Sequence, residues 1–133
     1  MLIIRKEQIQ HLIAADDGQL VKVIRQAIRQ ANTERVYSWE DQELENMVKI
    51  GIDRAKSHGL DAAEDIAAFV AVMFEIAPRF DEQDEIRQVL DDQMFTPDVR
   101  FYQLFERVSN EAWSEAEMLY EESFWFPAKN TAK

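Results

Sequence analysis

Two histidines, a run of acids and a few paired carboxylates are the residues of this sequence whose types suggest metal or acid–base chemistry. His11 and His58 each stand alone in a helical pattern, with no second histidine or carboxylate at ligand spacing, so neither is expected to hold a metal. His58 precedes Gly59 and reads better as a last-turn residue, where a cation suits the helix dipole. The run Asp81-Glu82-Gln83-Asp84-Glu85 could suggest calcium. It lacks the alternating oxygen ligands and central glycine of a helix-loop-helix calcium loop, and acids at a helix start explain it better. Glu75 with Arg79 and Glu111 with Glu115 lie one helical turn apart, the first pair stabilising and the second mildly repulsive. Two-carboxylate hydrolysis needs acids held across a cleft with separated pKa values, which spacing alone does not supply. The chain has no cysteine, which removes thiol nucleophiles, sulfur-ligated zinc and disulfides. Nor is there a glycine-rich phosphate loop or a nucleophile elbow. The expectation is a protein with no catalytic residue, no metal and no cofactor, hence not an enzyme.

The stronger signal is an aromatic and acidic C-terminal stretch. Trp113, Tyr120, Phe124, Trp125 and Phe126 are interleaved with Glu115, Glu117, Glu121 and Glu122. Successive helical residues are about 100° apart, so Phe124, Trp125 and Phe126 cannot all face one interior. Exposed rings among acids make an interface, because rings supply binding energy and carboxylates steer a basic partner. The alternative is that the rings fold back and seal the core. The expected partner-binding residues are Trp113, Glu117, Tyr120, Glu121, Glu122, Trp125 and Phe126.

Charge points the same way. The net charge of the 133-residue chain is -11. Residues 1–60 carry nine Lys/Arg and nine Asp/Glu, whereas residues 61–133 carry six against seventeen, so the second half holds the whole excess. Such a field repels nucleic acid and anionic membranes and attracts basic surfaces, although acids also serve solubility alone. The longest strongly apolar segment, Ile66 to Phe74, is nine residues and too short to span a bilayer. The opening Met1-Leu2-Ile3-Ile4-Arg5-Lys6 lacks the usual layout of a signal peptide, which makes the cytoplasm the default location.

Three glycines and three prolines punctuate a sequence that otherwise favours helices. A first helix is expected near residues 5–14, with Ile9, Leu12 and Ile13 on one side, and Asp16-Asp17-Gly18 as a turn. The second, 18–31, places Leu20, Val21, Ile24, Ala27, Ile28 and Ala31 at amphipathic spacing, and Lys22, Arg25 and Arg29 form its basic outer face. Ser38 with Asp41 is an imperfect capping box for a third helix over 40–58, which buries Leu44, Met47, Val48, Ile52 and Ala55. Gly51 inside it costs about 1 kcal/mol relative to alanine unless a neighbouring helix crosses closely there. Gly59 ends it in the left-handed conformation.

Asp61 with Glu64 should cap a fourth helix, and Leu60 can staple onto Ile66. Apolar on nearly every side to Ala77, that helix belongs in the middle of a bundle, and Pro78 stops it. A short fifth helix should open at Asp81 and reach Leu90. Thr96-Pro97-Asp98 starts a sixth, drawn over 97–123, with Val99, Tyr102, Phe105 or Leu104, Val108, Ala112, Ala116 and Leu119 as its inward stripe. Residues from about 127 read as a frayed tail. The fold expected is all-α: one domain over 1–133, a compact bundle of five or six helices with short connections.

The span His58-Gly59-Leu60, Asp65-Ile66, Phe69-Val70, Met73-Phe74, Pro78-Arg79-Phe80-Asp81 and Leu104-Phe105-Glu106-Arg107 resembles small helical proteins encoded in bacterial type VI secretion effector clusters. The resemblance covers about Lys49 to Arg107 and rests on structural motifs. It implies an accessory role, foremost an immunity protein neutralising a toxin, otherwise an effector chaperone or adaptor. The partner expected is a basic effector or toxin. A structural homo-oligomer, such as a homodimer, is the reading from another class.

Overall fold

The computed structural model describes residues 17–31 and 39–119. Among them the chain is all-α, with six α-helices and one short 3-10 turn. Backbone contacts divide it into two compact units meeting at Glu75 and Ile76. The helix expected near residues 5–14 and the tail from 127 lie outside the described residues.

The first unit contains α1 (Asp17–Ala31), α2 (Asp41–Ser57) and α3 (Ala63–Glu75). Asp17 and Gly18 are helical rather than part of a turn. Leu20, Val21, Ile24, Ala27 and Ile28 of α1 are buried, as their spacing requires. Helix α3 packs against both α1 and α2, which themselves touch. Nine of its thirteen residues are buried, so its all-round apolar character has the central place it needs.

The expected basic face of α1 is corrected by its pairing. Arg25 donates to Glu45 at 2.7 Å and lies 3.7 Å from Asp41. Arg29 reaches Asp41 at 2.9 Å and donates to the Trp39 carbonyl, also at 2.9 Å. Both guanidinium groups therefore bridge to α2 and the residues just before it, since acids on one helix turn toward cations on the next; Lys22 is exposed.

Helix ends follow local chemistry, sometimes a residue or two from the expected place. The capping acid of α2 is Glu43, which accepts the Glu40 N–H at 3.0 Å; Ser38 of the expected pair lies outside the described residues. At its far end Gly59 has φ 89°, while Gly59 N–H reaches the Lys56 carbonyl and Leu60 N–H the Ala55 carbonyl. That is the two-bond Schellman closure, and Leu60 is buried behind it. His58 flanks this end, its ring 5.4 Å from that of Phe69. Helix α3 starts later than drawn: the Asp65 and Ile66 N–H groups both bond the Ala62 carbonyl, so Ala62 rather than Asp61 flanks it.

Gly51 has the close crossing its presence requires. A Cβ at that position would sit 2.9 Å from Val70 Cγ2 and 3.2 Å from Cγ1, with Met73 Sδ at 3.4 Å. The missing side chain is what lets α2 and α3 approach.

The second unit contains the 3-10 turn Phe80–Glu82, then α4 (Asp84–Leu90), α5 (Pro97–Arg107) and α6 (Asn110–Met118). Helix α4 packs on α5, on α6 and on the 3-10 turn. The acid run from Asp81 does not open one helix. Asp81 is buried in the 3-10 turn, and α4 begins only after Gln83, whose side chain accepts the Ile86 N–H at 3.0 Å. The Glu75–Arg79 helix pair is also revised, because α3 ends at Glu75. Arg79 grips Glu82 with Nε and Nη2, at 2.8 and 2.7 Å.

The long sixth helix is two helices. Val108 and Ser109 are extended, and the Ser109 hydroxyl caps α6 by accepting the Ala112 N–H at 3.2 Å. The Glu85 carboxylate of α4 accepts both the Ser109 N–H and its hydroxyl, fixing the break from outside. This tertiary contact turns a run of helix-compatible residues into a junction.

At the start of α5, the Thr96 hydroxyl donates to Asp98 at 2.6 Å. That bond holds the Asp98 carboxyl below its ordinary range, with desolvation opposing it and the backbone N–H groups of Val99 and Asp98 adding. A lowered pKa gives stabilisation that is complete above the unfolded aspartate range and lost as pH falls through the folded value. Thr96→Val should therefore move the Asp98 carboxyl resonance titration upward, toward an unperturbed aspartate. An unchanged NMR titration would remove Thr96 as the cause.

Candidate protein-interaction surface

The inward stripe keeps Leu104, one of the two residues expected at its place, with Val108, Ala112 and Ala116, but Phe101 fills the buried position expected for Val99 and Tyr102. Phe101 and Leu104 are buried, followed by Val108, Ala112 and Ala116, whereas Val99, Tyr102, Phe105 and Leu119 are exposed. Both sets fit a period near 3.6, and only packing against α4 selects between them.

The result is an aromatic row running from surface to interior. Tyr102 meets Phe101 edge-on at 5.2 Å, Phe101 meets Phe105 edge-on at 5.6 Å, and Phe105 stacks on Trp113 at 5.8 Å. Trp113 then stacks on the buried Phe80 at 6.4 Å. Such pairs add about 0.5–1.5 kcal/mol each beyond area burial, and they hold exposed rings in one orientation. Of the expected partner-binding residues, Trp113 is thus half-buried between Phe80 and Phe105, and Glu117 is exposed one turn along α6. Tyr120, Glu121, Glu122, Trp125 and Phe126 lie outside the described residues.

Sequence reasoning missed the α5 face and the loop before it. Among the described residues the large exposed apolar side chains are Met94, Phe95, Val99, Tyr102, Phe105, Met118 and Leu119, all in the second unit. Met94 and Met118 are 87% and 85% exposed, which solvent alone does not favour for so apolar a side chain. The signal that could have found the face was the surplus of apolar positions on α5, more than one stripe can bury.

The same unit is acidic and its described cations are engaged. Arg79 binds Glu82, Arg87 lies 3.9 Å from Asp91, and Arg107 lies 3.4 Å from Asp92 and donates to Gln103 at 2.6 Å. Arg100 donates to the Phe95 and Leu90 carbonyls at 2.8 and 3.1 Å, tying α5 to the preceding loop. Glu106, Glu111 and Glu117 are exposed.

An open groove of about 390 Å3 lies elsewhere on the unit, lined by Glu82, Gln83, Asp84, Glu115, Met118 and Leu119. Gln83 Nε2 donates to Glu115 at 2.8 Å, so two of its polar groups satisfy each other. Asp98, the carboxyl held below its usual range, is not in this groove but at the start of α5. Among the described residues no group of three or more His, Asp or Glu side chains is placed to hold a metal ion. None of the described helices is long and apolar enough to cross a membrane. Compared with known proteins, the chain matches no family model, no curated protein and no solved structure.

Proposed function

We propose that this chain is a protein-binding module whose second unit takes a basic protein partner. The observation that carries the reading is the coincidence of two surplus properties on one unit. Every large exposed apolar side chain among the described residues lies there, and residues 76–119 hold eleven Asp/Glu against four arginines that are already engaged. Apolar anchors supply affinity and unpaired-sign charge supplies steering, which together suit a basic protein surface. The resemblance to proteins of type VI secretion clusters narrows the partner to a bacterial effector or toxin that the chain neutralises, with escort of the effector as the second role.

The test is affinity capture of the tagged full chain from its own organism, with mass spectrometry on what stays bound at moderate salt. A single stoichiometric basic partner is expected. Charge reversal at Glu117, Glu121 and Glu122 together should cut its retention at least tenfold and flatten its salt dependence. Full retention by that triple variant would move the contact away from the C-terminal acids. Recovery of the chain alone, as a defined oligomer, would favour the structural homo-oligomer.

A further inference from the structure

Helix α5 presents a face that the reading above does not specify. Stepping by three, Val99, Tyr102 and Phe105 run along one side, with Asp98 and Glu106 at its edges. All five are exposed. Phe101 and Leu104 occupy the buried side, and Arg100 and Arg107 are drawn toward the connection between α4 and α5. The exposed face thus carries apolar anchors, acids at both ends and no cation. We propose that it docks an amphipathic helix of the partner whose apolar stripe is flanked by lysine or arginine; this rests on the protein-binding reading.

Three features select that occupant. A row at spacing three is a ridge, and ridges fit the grooves of another helix, whereas strand addition needs the open backbone of a sheet edge. Asp98 and Glu106 are eight residues apart, about 12 Å along the axis, so they can meet cations some two turns apart on the incoming helix. The acids also disfavour a second copy, because an antiparallel pair would set Asp98 against Glu106. Finally, the rings are braced: Tyr102 and Phe105 both rest on buried Phe101, and Phe105 stacks on Trp113. Anchors already ordered lose little side-chain freedom on binding.

The experiment titrates fluorescent peptides of 18 residues into the intact chain near physiological salt. One is leucine and lysine arranged at helical period, one the same composition scrambled, and one leucine and glutamate at helical period. The ordered leucine–lysine peptide should bind at least tenfold tighter than either of the others. Val99→Asp and Tyr102→Asp, both at exposed positions, should each weaken it tenfold or more, and Glu106→Lys severalfold. Glu64→Lys, an equal charge change at an exposed position on α3, should stay within twofold. Equal binding of the scrambled peptide, or indifference to the α5 variants, would overturn the proposal, as would a dimer in sedimentation that Tyr102→Asp dissociates. Affinity capture separates the two failures. A native partner retained equally by wild type and Tyr102→Asp rejects the α5 face while leaving the protein-binding reading, and the absence of any partner rejects both.

Discussion

Replacing Phe101 by alanine should destabilise the second unit by about 3–5 kcal/mol, the range for truncating a fully buried phenylalanine. Phe101 has no exposed surface, and it touches both Tyr102 and Phe105 edge-on. The loss therefore has two parts, a cavity between α5 and α4 and the removal of the ring beneath the exposed anchors. Phe101→Leu separates them. It keeps most of the volume but neither edge contact, and should cost about 1–2 kcal/mol from the two lost aromatic pairs and imperfect shape. Urea unfolding followed by circular dichroism measures both. If the leucine variant is as stable as wild type while alanine is not, the ring contacts contribute nothing beyond volume and the bracing of Tyr102 and Phe105 is wrong. The leucine variant, still folded, should also bind the basic helical peptide more weakly than wild type.

The second large effect is expected at Gly51. Leucine there has no room: the first added carbon already falls 2.9 Å from Val70 Cγ2, and Val70 is fully buried. Valine is stiff about its only side-chain torsion, so it cannot swing aside without moving α3. Gly51→Leu should cost about 3 kcal/mol, the upper end of the usual overpacking penalty. Gly51→Ala sets a gain of about 1 kcal/mol in helix propensity against the same contact. With a contact under 3 Å to a stiff side chain, the steric term should win and leave a small net loss. Val70→Ala made in the Gly51→Leu background should recover part of the deficit, although alone it removes buried volume. Additive losses in that double-mutant cycle would show that the two positions do not meet.

Much of the fold was legible in the residues. The amphipathic spacing of α1, the buried set of α2, the left-handed Gly59 and the Thr96-Pro97 start of α5 are local features. Propensity, periodicity and capping act within a few residues, so they survive into any tertiary setting. Even the need for a close neighbour at Gly51 could be argued, because a glycine in mid-helix is costly without one.

Other features depended on groups distant in sequence. Residues 97–123 satisfy a helical pattern throughout, and it is the Glu85 carboxylate, 24 residues away from Ser109, that stabilises the break after Arg107. The Arg25 and Arg29 face read as basic until α2 supplied Glu45 and Asp41. The phase of α5 was ambiguous for a plainer reason. Val99, Phe105 and the ring of Tyr102 are large apolar surfaces like those of Phe101 and Leu104, so composition alone does not say which set is buried. The packing of α4 decides, and the set left outside is the surface on which the proposed partner docks. By itself the sequence determined an all-α chain with its acids gathered in the second half, because helix propensity and charge are additive properties of residues. Which rings stand at the surface was decided only by tertiary structure, because the core takes one stripe of α5 and the sequence offered more apolar positions than that stripe holds.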